Sequence, residues 1–589
     1  MSTANTSAKR ANHPLSRIEY QVMWNRLISV VEEQAQTLVR TAFGTATREA
    51  GDLSAGVYDT KGRMLAQAVT GTPGHVNSMA ASVGYVLDKV PLAKMSDGDA
   101  YIVNDPWQGT GHLNDIVIVT PTFRRGTAVG LFACTLHVVD IGGRGIIGEA
   151  KQVYEEGIYI PITKIVDKGE MNDWLIDIIK ANVREPIQVI GDIYSEIASN
   201  EVGGKRLVAM MDEFGLEHLD DLAKHVLDHS REASLEAINK LKHGTYTNSM
   251  TVDGINGVPM ELKAKLTIGP TGIDVDFAGS AGVVQYGINV PLCYTEAYTS
   301  FGVKCIVAPH VPNNWASLAT IRVTAPEGCI LNAKHPLAVA GRSIIGQMLP
   351  DVVFGCLQQA IPDGVPAEGT SCLWNIRLMG GIGRVEGDAA KLVKATAYAV
   401  TGFHSGGTGA RPKLDGLSAT AFPSGVRNVP VEITETIAPV LFWHKEYRQD
   451  SGGAGEFRGG LGQVVEIETA EEMPFTISSS YDRVYFPPRG RLGGLSGATG
   501  KIEAVHSGKQ LPPKASSSIP VGERLRVSMP GGGGYGDPHK RPSAKVADDV
   551  ERGLVSLQSA REHYGVAIKA DGSVDEGETA RLRTKVAAE

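Results

Sequence analysis

Apolar residues recur at helical spacing from Met23 to Leu38, shortly after the sequence Ser16-Arg17-Ile18-Glu19. A serine followed three residues later by glutamate is the capping box that begins many helices, so we predict a helix from Ser16. Two apolar runs then flank the turn residues 59–62. This pattern indicates a β-hairpin with Asp52 at its entrance.

Residues 98–143 contain three apolar, strand-like runs with polar residues at their ends. His112 and Asp115 stand in a glycine-rich loop after the first run, and His137 stands near the end of the third. Imidazoles and carboxylates held at strand ends can bind a divalent metal ion. The spacing HxxD is a weak motif, so these residues alone also fit hydrogen-bonded turns.

Helical periodicity dominates near residues 170–243, and alternating or glycine-interrupted strands dominate after residue 244. We therefore expect a multidomain α+β fold. Residues 72–75, including His75, are expected to form a loop before a helix, and Gly531–Gly536 a flexible hinge. The expected parts are a disordered leader (1–15), an N-terminal α/β metal-site domain (16–243) with a helical insertion (170–243), a mixed α+β domain (244–400), a strand-rich domain (401–540) and a helical tail (541–589).

Composition narrows the class of protein. A chain of 589 residues is too long for one hydrophobic core. Its net charge of −8, with acids and bases mixed along the chain, argues against a nucleic-acid surface. The six cysteines form no CxxC pair, as in a reducing cytosol, and no apolar run is long enough to span a bilayer. We expect a cytoplasmic protein that binds neither nucleic acid nor membrane.

Common catalytic and nucleotide motifs are absent or incomplete in the sequence. Residues 143–148 match GxGxxG, but no clear helix follows them, as a dinucleotide site requires. The sequence contains neither a GxxxxGK[ST] phosphate-binding loop nor a GxSxG nucleophile motif. The chain alone therefore offers no recognisable ATP site.

Several short motifs occur in an order that resembles the hydantoinase B/oxoprolinase family, and they extend from about Ser16 to Pro538. They are Asn104-Asp105-Pro106, Gly111-His112-Leu113-Asn114-Asp115, His137 with Asp140-Ile141-Gly142-Gly143, Tyr154-Glu155-Glu156-Gly157-Ile158, Pro326-Glu327-Gly328, Gly406-Gly407-Thr408-Gly409-Ala410-Arg411, Asp415-Gly416, Asp450-Ser451-Gly452-Gly453-Ala454-Gly455, Arg458-Gly459-Gly460-Leu461-Gly462 and Pro530-Gly531-Gly532-Gly533-Gly534-Tyr535-Gly536.

This resemblance implies an enzyme: the hydrolytic subunit of an ATP-dependent hydantoinase, oxoprolinase or lactamase. It implies a larger, actin-like partner subunit that binds ATP and Mg and phosphorylates the carbonyl oxygen of the substrate, in a heterotetramer. The matching metal positions are Asp52, His112, Asp115 and His137, for Zn, Mn or Fe. Asp52 stands in a run whose neighbours differ from those of many family members.

The proton transfers of ring opening require a further acid or base, and His75, Asp140 and Glu156 are the candidates. Each of them also fits a purely structural hydrogen bond. Two other functions remain open: a subunit of an ATP-dependent ketone carboxylase, and a non-catalytic scaffold for the ATP-binding subunit.

Overall fold

The computed structural model describes residues 16–69, 71–146, 148–381 and 398–588, with side chains through residue 584. It is a mixed helix-and-sheet structure with four sheets, which confirms the predicted multidomain α+β class. The predicted leader, residues 1–15, lies outside the described residues. Within the described part of the chain, no helix is both long and apolar enough to cross a membrane.

The helices are α1 (Arg17–Thr41), α2 (Thr45–Arg48), α3 (Pro73–Lys89), α4 (Asp173–Asn182), α5 (Pro186–Phe214), α6 (Asp220–Asn239), α7 (Leu292–Val307), α8 (Trp315–Leu318), α9 (Arg342–Gly346), α10 (Leu349–Ala360), α11 (Val431–Ile437), α12 (Ser543–Glu551), α13 (Leu557–Tyr564) and α14 (Glu576–Ala588). The strands are β1 (Leu53–Tyr58), β2 (Met64–Gln67), β3 (Ala100–Val103), β4 (Asp115–Arg124), β5 (Thr127–His137), β6 (Thr163–Asp167), β7 (Glu170–Met171), β8 (Gly244–Asp253), β9 (Pro259–Gly269), β10 (Gly272–Asp276), β11 (Ile321–Thr324), β12 (Ile376–Gly380), β13 (Tyr398–Gly402), β14 (Val440–Tyr447), β15 (Gln463–Thr469), β16 (Phe475–Ser480), β17 (Lys501–Ala504), β18 (Lys514–Ile519) and β19 (Leu525–Ser528).

The N-terminal domain is built on a seven-stranded sheet in the order β2-β1-β5-β4-β3-β6-β7. Helices α1 and α5 pack on one face of this sheet and α3 on the other. Successive side chains of a strand point to opposite faces. Accordingly, Ile116 and Ile118 of β4 join the core beneath α5, whereas Val117 and Val119 join the core beneath α3. Because both faces of the sheet are buried, these strands are apolar at nearly every position and do not alternate between apolar and polar residues.

The capping box at Ser16 is present, because the Glu19 amide donates to the Ser16 hydroxyl and the Ser16 amide donates to the Glu19 carboxylate. The loop expected at residues 72–75 is wrong, since α3 already begins at Pro73. Proline suits the first helical position, where its fixed φ is helical and its missing N–H is not needed. His75 therefore lies in the first turn of a helix.

Residues 170–243 are mainly helical, as predicted, and they pack on the N-terminal sheet. Helix α5 packs against α1 and across β4 and β5, and its Val189, Ile190 and Ile193 belong to the same hydrophobic core as the sheet. The segment thus completes the N-terminal domain. Helical periodicity alone does not reveal which surface an apolar face will cover.

Three further four-stranded sheets follow, in the orders β11-β10-β9-β8, β13-β12-β16-β18 and β14-β15-β19-β17. The domain boundary expected at residue 400 falls inside β13, and β12 pairs with β16 across it. The ranges 244–400 and 401–540 therefore share a sheet and a hydrophobic core. This long-range strand pairing leaves no trace in local composition.

The segment Gly531–Gly536 is not the expected hinge but a buried stretch of backbone packed between other glycine-rich segments. The amides of Gly532, Gly533 and Gly534 donate to backbone carbonyls of distant segments at 2.8–2.9 Å. A Cβ on Gly532 would lie 1.9 Å from the Thr408 carbonyl oxygen. The glycines are present because only a bare backbone can approach so closely.

Candidate metal centre

The register of three neighbouring strands brings the predicted ligands together. Asp115, the first residue of β4, pairs directly with His137, the last residue of β5. On the other side of β5, the His137 amide donates to the Asp52 backbone carbonyl at 3.3 Å, just before β1 begins. These three residues therefore form a row at one end of the sheet, and all three are buried.

His112 joins this row from the loop between β3 and β4. One ligand atom from each of His112, Asp115 and His137 lies within 4.8 Å of the others. The loop is fixed from beneath by Asn104, whose amide group donates to the carbonyls of Leu113 and Ile158 at 2.9 Å. The predicted set of two imidazoles and one carboxylate is thus assembled on rigid elements.

Asp115 is the centre of the cluster and is fully buried. Its Oδ1 lies 2.8 Å from Nε2 of His112 and 2.9 Å from Nδ1 of His137. Its Oδ2 lies 2.9 Å from Nε2 of His75 and accepts hydrogen bonds from the Thr110 hydroxyl at 2.6 Å and from the Arg342 guanidinium. Three imidazoles and one guanidinium therefore surround a single carboxylate.

The orientation of the His112 ring fits a metal ligand. Its Nδ1 lies 2.9 Å from the Ala340 carbonyl oxygen, which can only accept, so Nδ1 carries the proton. In the neutral ring Nε2 then presents a lone pair to the Asp115 carboxylate. Two acceptors 2.8 Å apart repel unless a proton or a cation lies between them. A backbone carbonyl that fixes the far nitrogen is also the usual support of a metal-bound histidine.

Burial and the nearby Arg342 charge lower the pKa of His112 to about 3. Burial also opposes ionisation of Asp115, but the positive charges and hydrogen bonds around it, including those of His75 and Arg342, hold the pKa of that carboxyl well below its usual range. For His75, burial acts to lower the pKa, and the charges of Asp115 and Asp52 outweigh it and raise the pKa overall. The centre thus combines an ionised carboxylate with imidazoles of different basicity.

The Asp52 side chain contacts His75, which in turn contacts Asp115 of the cluster. The Asp52 carboxylate accepts the Thr72 hydroxyl at 2.9 Å and lies 3.5 Å from Nδ1 of His75. His75 therefore lies between two carboxylates, Asp52 on one ring nitrogen and Asp115 on the other. The role of Asp52 as a fourth ligand stays a prediction.

Two residues that sequence reasoning missed contact Asp115: Arg342, from α9, and Thr110. Arg342 also donates through Nε to the Thr110 carbonyl at 2.6 Å and lies over the Tyr294 ring at 4.0 Å. Gly111 makes this approach possible, since its φ is +97° and a Cβ there would lie 2.5 Å from the Arg342 side chain. The glycine before His112 was the available signal, but it does not name the residue that needs the space.

Asp140 lies outside the cluster. Its carboxylate accepts hydrogen bonds from the Arg184 backbone amide and guanidinium and from the Gly142 amide. These contacts join the end of the sheet to the segment after α4. The predicted role of Asp140 in proton transfer stays a prediction, and its contacts fit a structural ion pair.

Glu156 is buried and is linked to the cluster through one residue, Ala340. Its Oε1 accepts the backbone amides of Val339 and Ala340 at 2.7 and 2.8 Å. Burial raises the pKa of Glu156 to about 7. The carbonyl of the same residue, Ala340, accepts from His112, so Glu156 holds the residue whose carbonyl orients this ring. Its predicted role in proton transfer stays a prediction.

The family model for Hydantoinase B/oxoprolinase matches residues 16–538. The chain belongs to this family. It is 30% identical to an uncharacterised protein of Methanocaldococcus jannaschii over 97% of this chain and 100% of that protein. It is 27% identical to caprolactamase subunit beta of Pseudomonas jessenii, over 95% of this chain and 98% of that subunit.

Two solved structures share the fold of this hydantoinase B/oxoprolinase family member. The crystal structure of ATP-dependent caprolactamase from Pseudomonas jessenii matches with a TM-score of 0.85 and 26% identity, over 97% of this chain and 100% of that chain. A nucleotide-free acetone carboxylase matches with a TM-score of 0.86 and 21% identity, over 97% of this chain and 83% of that chain.

Proposed function

We propose that this chain is the metal-dependent hydrolytic subunit of an ATP-dependent cyclic amide hydrolase of the hydantoinase, oxoprolinase or lactamase type. Membership in the hydantoinase B/oxoprolinase family supports a subunit of such an enzyme or of a related carboxylase. The finer assignment rests on the buried cluster of His112, Asp115 and His137.

The observation that carries the proposal is the contact between His112 and Asp115. Nδ1 of His112 lies 2.9 Å from the Ala340 carbonyl oxygen, so in the neutral ring Nε2 faces the Asp115 carboxylate with a lone pair at 2.8 Å. A divalent ion held by His112, Asp115 and His137 would relieve this contact. Imidazole and carboxylate donors together suit Zn, Mn or Fe.

A bound divalent ion would lower the pKa of a coordinated water toward ~7, which supplies a nucleophile at neutral pH. The protein's own residues would do the rest. His75 lies 2.9 Å from Asp115 and 3.5 Å from Asp52, so it can hold or pass a proton beside the ligand cluster. Arg342 and Thr110 keep the Asp115 carboxylate oriented. Near-complete burial of these groups excludes bulk water.

The proposal includes a partner subunit. Caprolactamase subunit beta is by its name one component of a larger enzyme. We therefore propose a larger, actin-like ATP-binding partner that phosphorylates the substrate carbonyl oxygen with ATP and Mg, in a cytoplasmic heterotetramer. The lack of a GxxxxGK[ST] motif in this sequence supports placing ATP on the partner.

Reconstitution with the ATP-binding subunit tests this function. The complex should consume ATP and open a hydantoin, 5-oxoproline or lactam ring, and the isolated chain should hydrolyse no ATP. His112→Ala should abolish ring opening and leave nucleotide binding by the partner intact. ATP consumption driven by acetone or acetophenone only when bicarbonate is present would show a ketone carboxylase instead. Full ring opening by the His112→Ala complex would show a scaffold.

A further inference from the structure

A small cavity of about 60 Å³ lies beside the candidate metal centre. Its wall includes Asn114, the neighbour of Asp115, and Val139, two residues after His137. On the opposite side it is bounded by β12 and β13 of the third sheet. The cavity therefore lies between the metal-site domain and the C-terminal part of the chain.

Three arginines line this cavity: Arg144, Arg184 and Arg377. Two of them have carboxylate partners. Nε of Arg144 lies 3.1 Å from the Glu155 carboxylate, and Arg184 forms an ion pair with Asp140. Two of the three positive charges are therefore neutralised by carboxylates. The third, on Arg377, is not neutralised by any residue that the structure describes.

Arg377 forms no ion pair with any residue in the ranges 16–69, 71–146, 148–381 and 398–588. Its Nη1 donates to the Ile146 carbonyl at 3.0 Å, and its buried Nε has no acceptor. Burial lowers the pKa of this guanidinium to about 10. A buried N–H donor without an acceptor is costly, so the unpaired Nε of this half-buried cation points to a missing anionic partner.

Arg377 also connects the cavity with the centre. It lines a second cavity of about 20 Å³, whose wall includes Gly341 and Ser343, the neighbours of Arg342. Arg342 itself contacts Asp115, so this second cavity is lined by the two chain neighbours of a residue that touches a proposed metal ligand.

We propose that the cavity binds the phosphoryl group of the activated substrate, with the half-buried Arg377 as its anion-binding residue and Arg144 and Arg184 at its rim. This inference rests on the proposed function for the identity of the ligand. Guanidinium groups bind phosphate oxygens through charge-assisted, bidentate hydrogen bonds. A cavity of about 60 Å³ holds a few water-sized groups, which suits one oxyanion and not a whole substrate.

Binding of inorganic phosphate to the purified full-length chain tests the site without partner or turnover. Calorimetric titration at constant ionic strength, balanced with chloride, should show saturable binding. Arg377→Met should weaken it by at least about tenfold, and Arg377→Lys by less, since lysine keeps the charge but loses the bidentate geometry. Arg231→Met, which removes an exposed arginine on α6, is the charge-matched control and should leave the dissociation constant unchanged.

Absence of saturable phosphate binding, or equal affinity in the wild-type and Arg377→Met chains, would overturn the proposal. If circular dichroism shows that Arg377→Met does not fold, Arg144→Met decides, because Arg144 is at the exposed rim and should still weaken phosphate binding several-fold. Acetate is titrated in the same way as a second anion, to distinguish a phosphate site from a carboxylate site. Acetate binding that depends on Arg377, without phosphate binding, would assign the cavity to a carboxylate and reject the phosphoryl assignment.

The two proposals can fail separately. Phosphate binding that depends on Arg377, in a complex that opens no cyclic amide, would keep the anion site and reject the proposed reaction. Ring opening by a complex whose Arg377→Met variant has an unchanged KM and kcat would keep the reaction and reject this cavity as the place where the phosphoryl group binds.

Discussion

Arg342 forms a buried ion pair with Asp115, which stands 227 residues earlier in the chain. The arginine side chain is 3% exposed and the aspartate side chain is fully buried. Helix α9 thereby closes over a loop of the N-terminal domain. The candidate metal centre therefore depends on the packing of two parts of the chain that are distant in sequence.

Arg342→Met should destabilise the protein strongly, because it leaves the Asp115 carboxylate buried without its cation. Removal of one partner from a buried pair typically costs about 3–5 kcal/mol. The matched control is Arg322→Met, which breaks an exposed pair with Asp274 at 2.6 Å and should cost at most about 1 kcal/mol. Urea unfolding measured by intrinsic fluorescence gives both values. Equal losses in the two variants would contradict the structural role of Arg342.

Asp115 and His137 could be found from the sequence as candidate ligands, because the ends of strands are recognisable where an apolar run meets polar residues. Apolar runs located β4 and β5, and in the structure their antiparallel pairing places Asp115 opposite His137. Arg342 could not be found in this way. Its contact with Asp115 results from the packing of two distant segments, and no spacing rule connects residues so far apart.

His75 and Glu156 show a second limit. The sequence placed His75 in a loop, and Pro73 instead begins a helix whose first turn carries this imidazole to Asp115. Glu156 stands in a family motif, but its carboxylate is used by the Val339 and Ala340 amides. A motif identifies which residues matter, whereas their contacts follow only from the assembled fold.

The metal content of two double variants tests the ligand set. His112→Ala with His137→Ala should remove the divalent ion from the purified chain, as measured by mass spectrometry of metals. His225→Ala with His229→Ala is the control, since this pair on α6 has ring centroids 3.9 Å apart but belongs to no ligand cluster of three or more within the described residues. Full metal occupancy in the first variant would refute the assignment.

Gly532→Ala should prevent folding, because a Cβ would lie 1.9 Å from the Thr408 carbonyl oxygen and neighbouring backbone cannot move aside cheaply. Gly84→Ala, inside α3, is the control. A Cβ at Gly84 meets nothing within 4 Å, and alanine favours helix over glycine by roughly 1 kcal/mol. Soluble yield and thermal unfolding measure both. A folded Gly532→Ala protein with unchanged stability would show that the segment is a hinge after all.

The buried Glu156 predicts a specific dependence of stability on pH. Its pKa is raised from 4.5 to about 7 in the folded chain, so this carboxyl keeps its proton up to a higher pH when folded than when unfolded. Its contribution to stability is therefore fully present below pH 4.5 and is lost as the pH rises toward 7. The loss is on the order of 3 kcal/mol.

Glu156→Gln removes this ionisation and keeps an oxygen that can accept the Val339 and Ala340 amides. The variant should come close to the wild type in urea unfolding at pH 4 and exceed it at pH 8. Glu551→Gln, an exposed site at the end of α12, should shift stability equally at both pH values. A Glu156→Gln chain that is less stable than the wild type at pH 8 would mean that the ionised carboxylate is the form the fold requires. In that case Glu156 would position Ala340, and through it His112, as an anion.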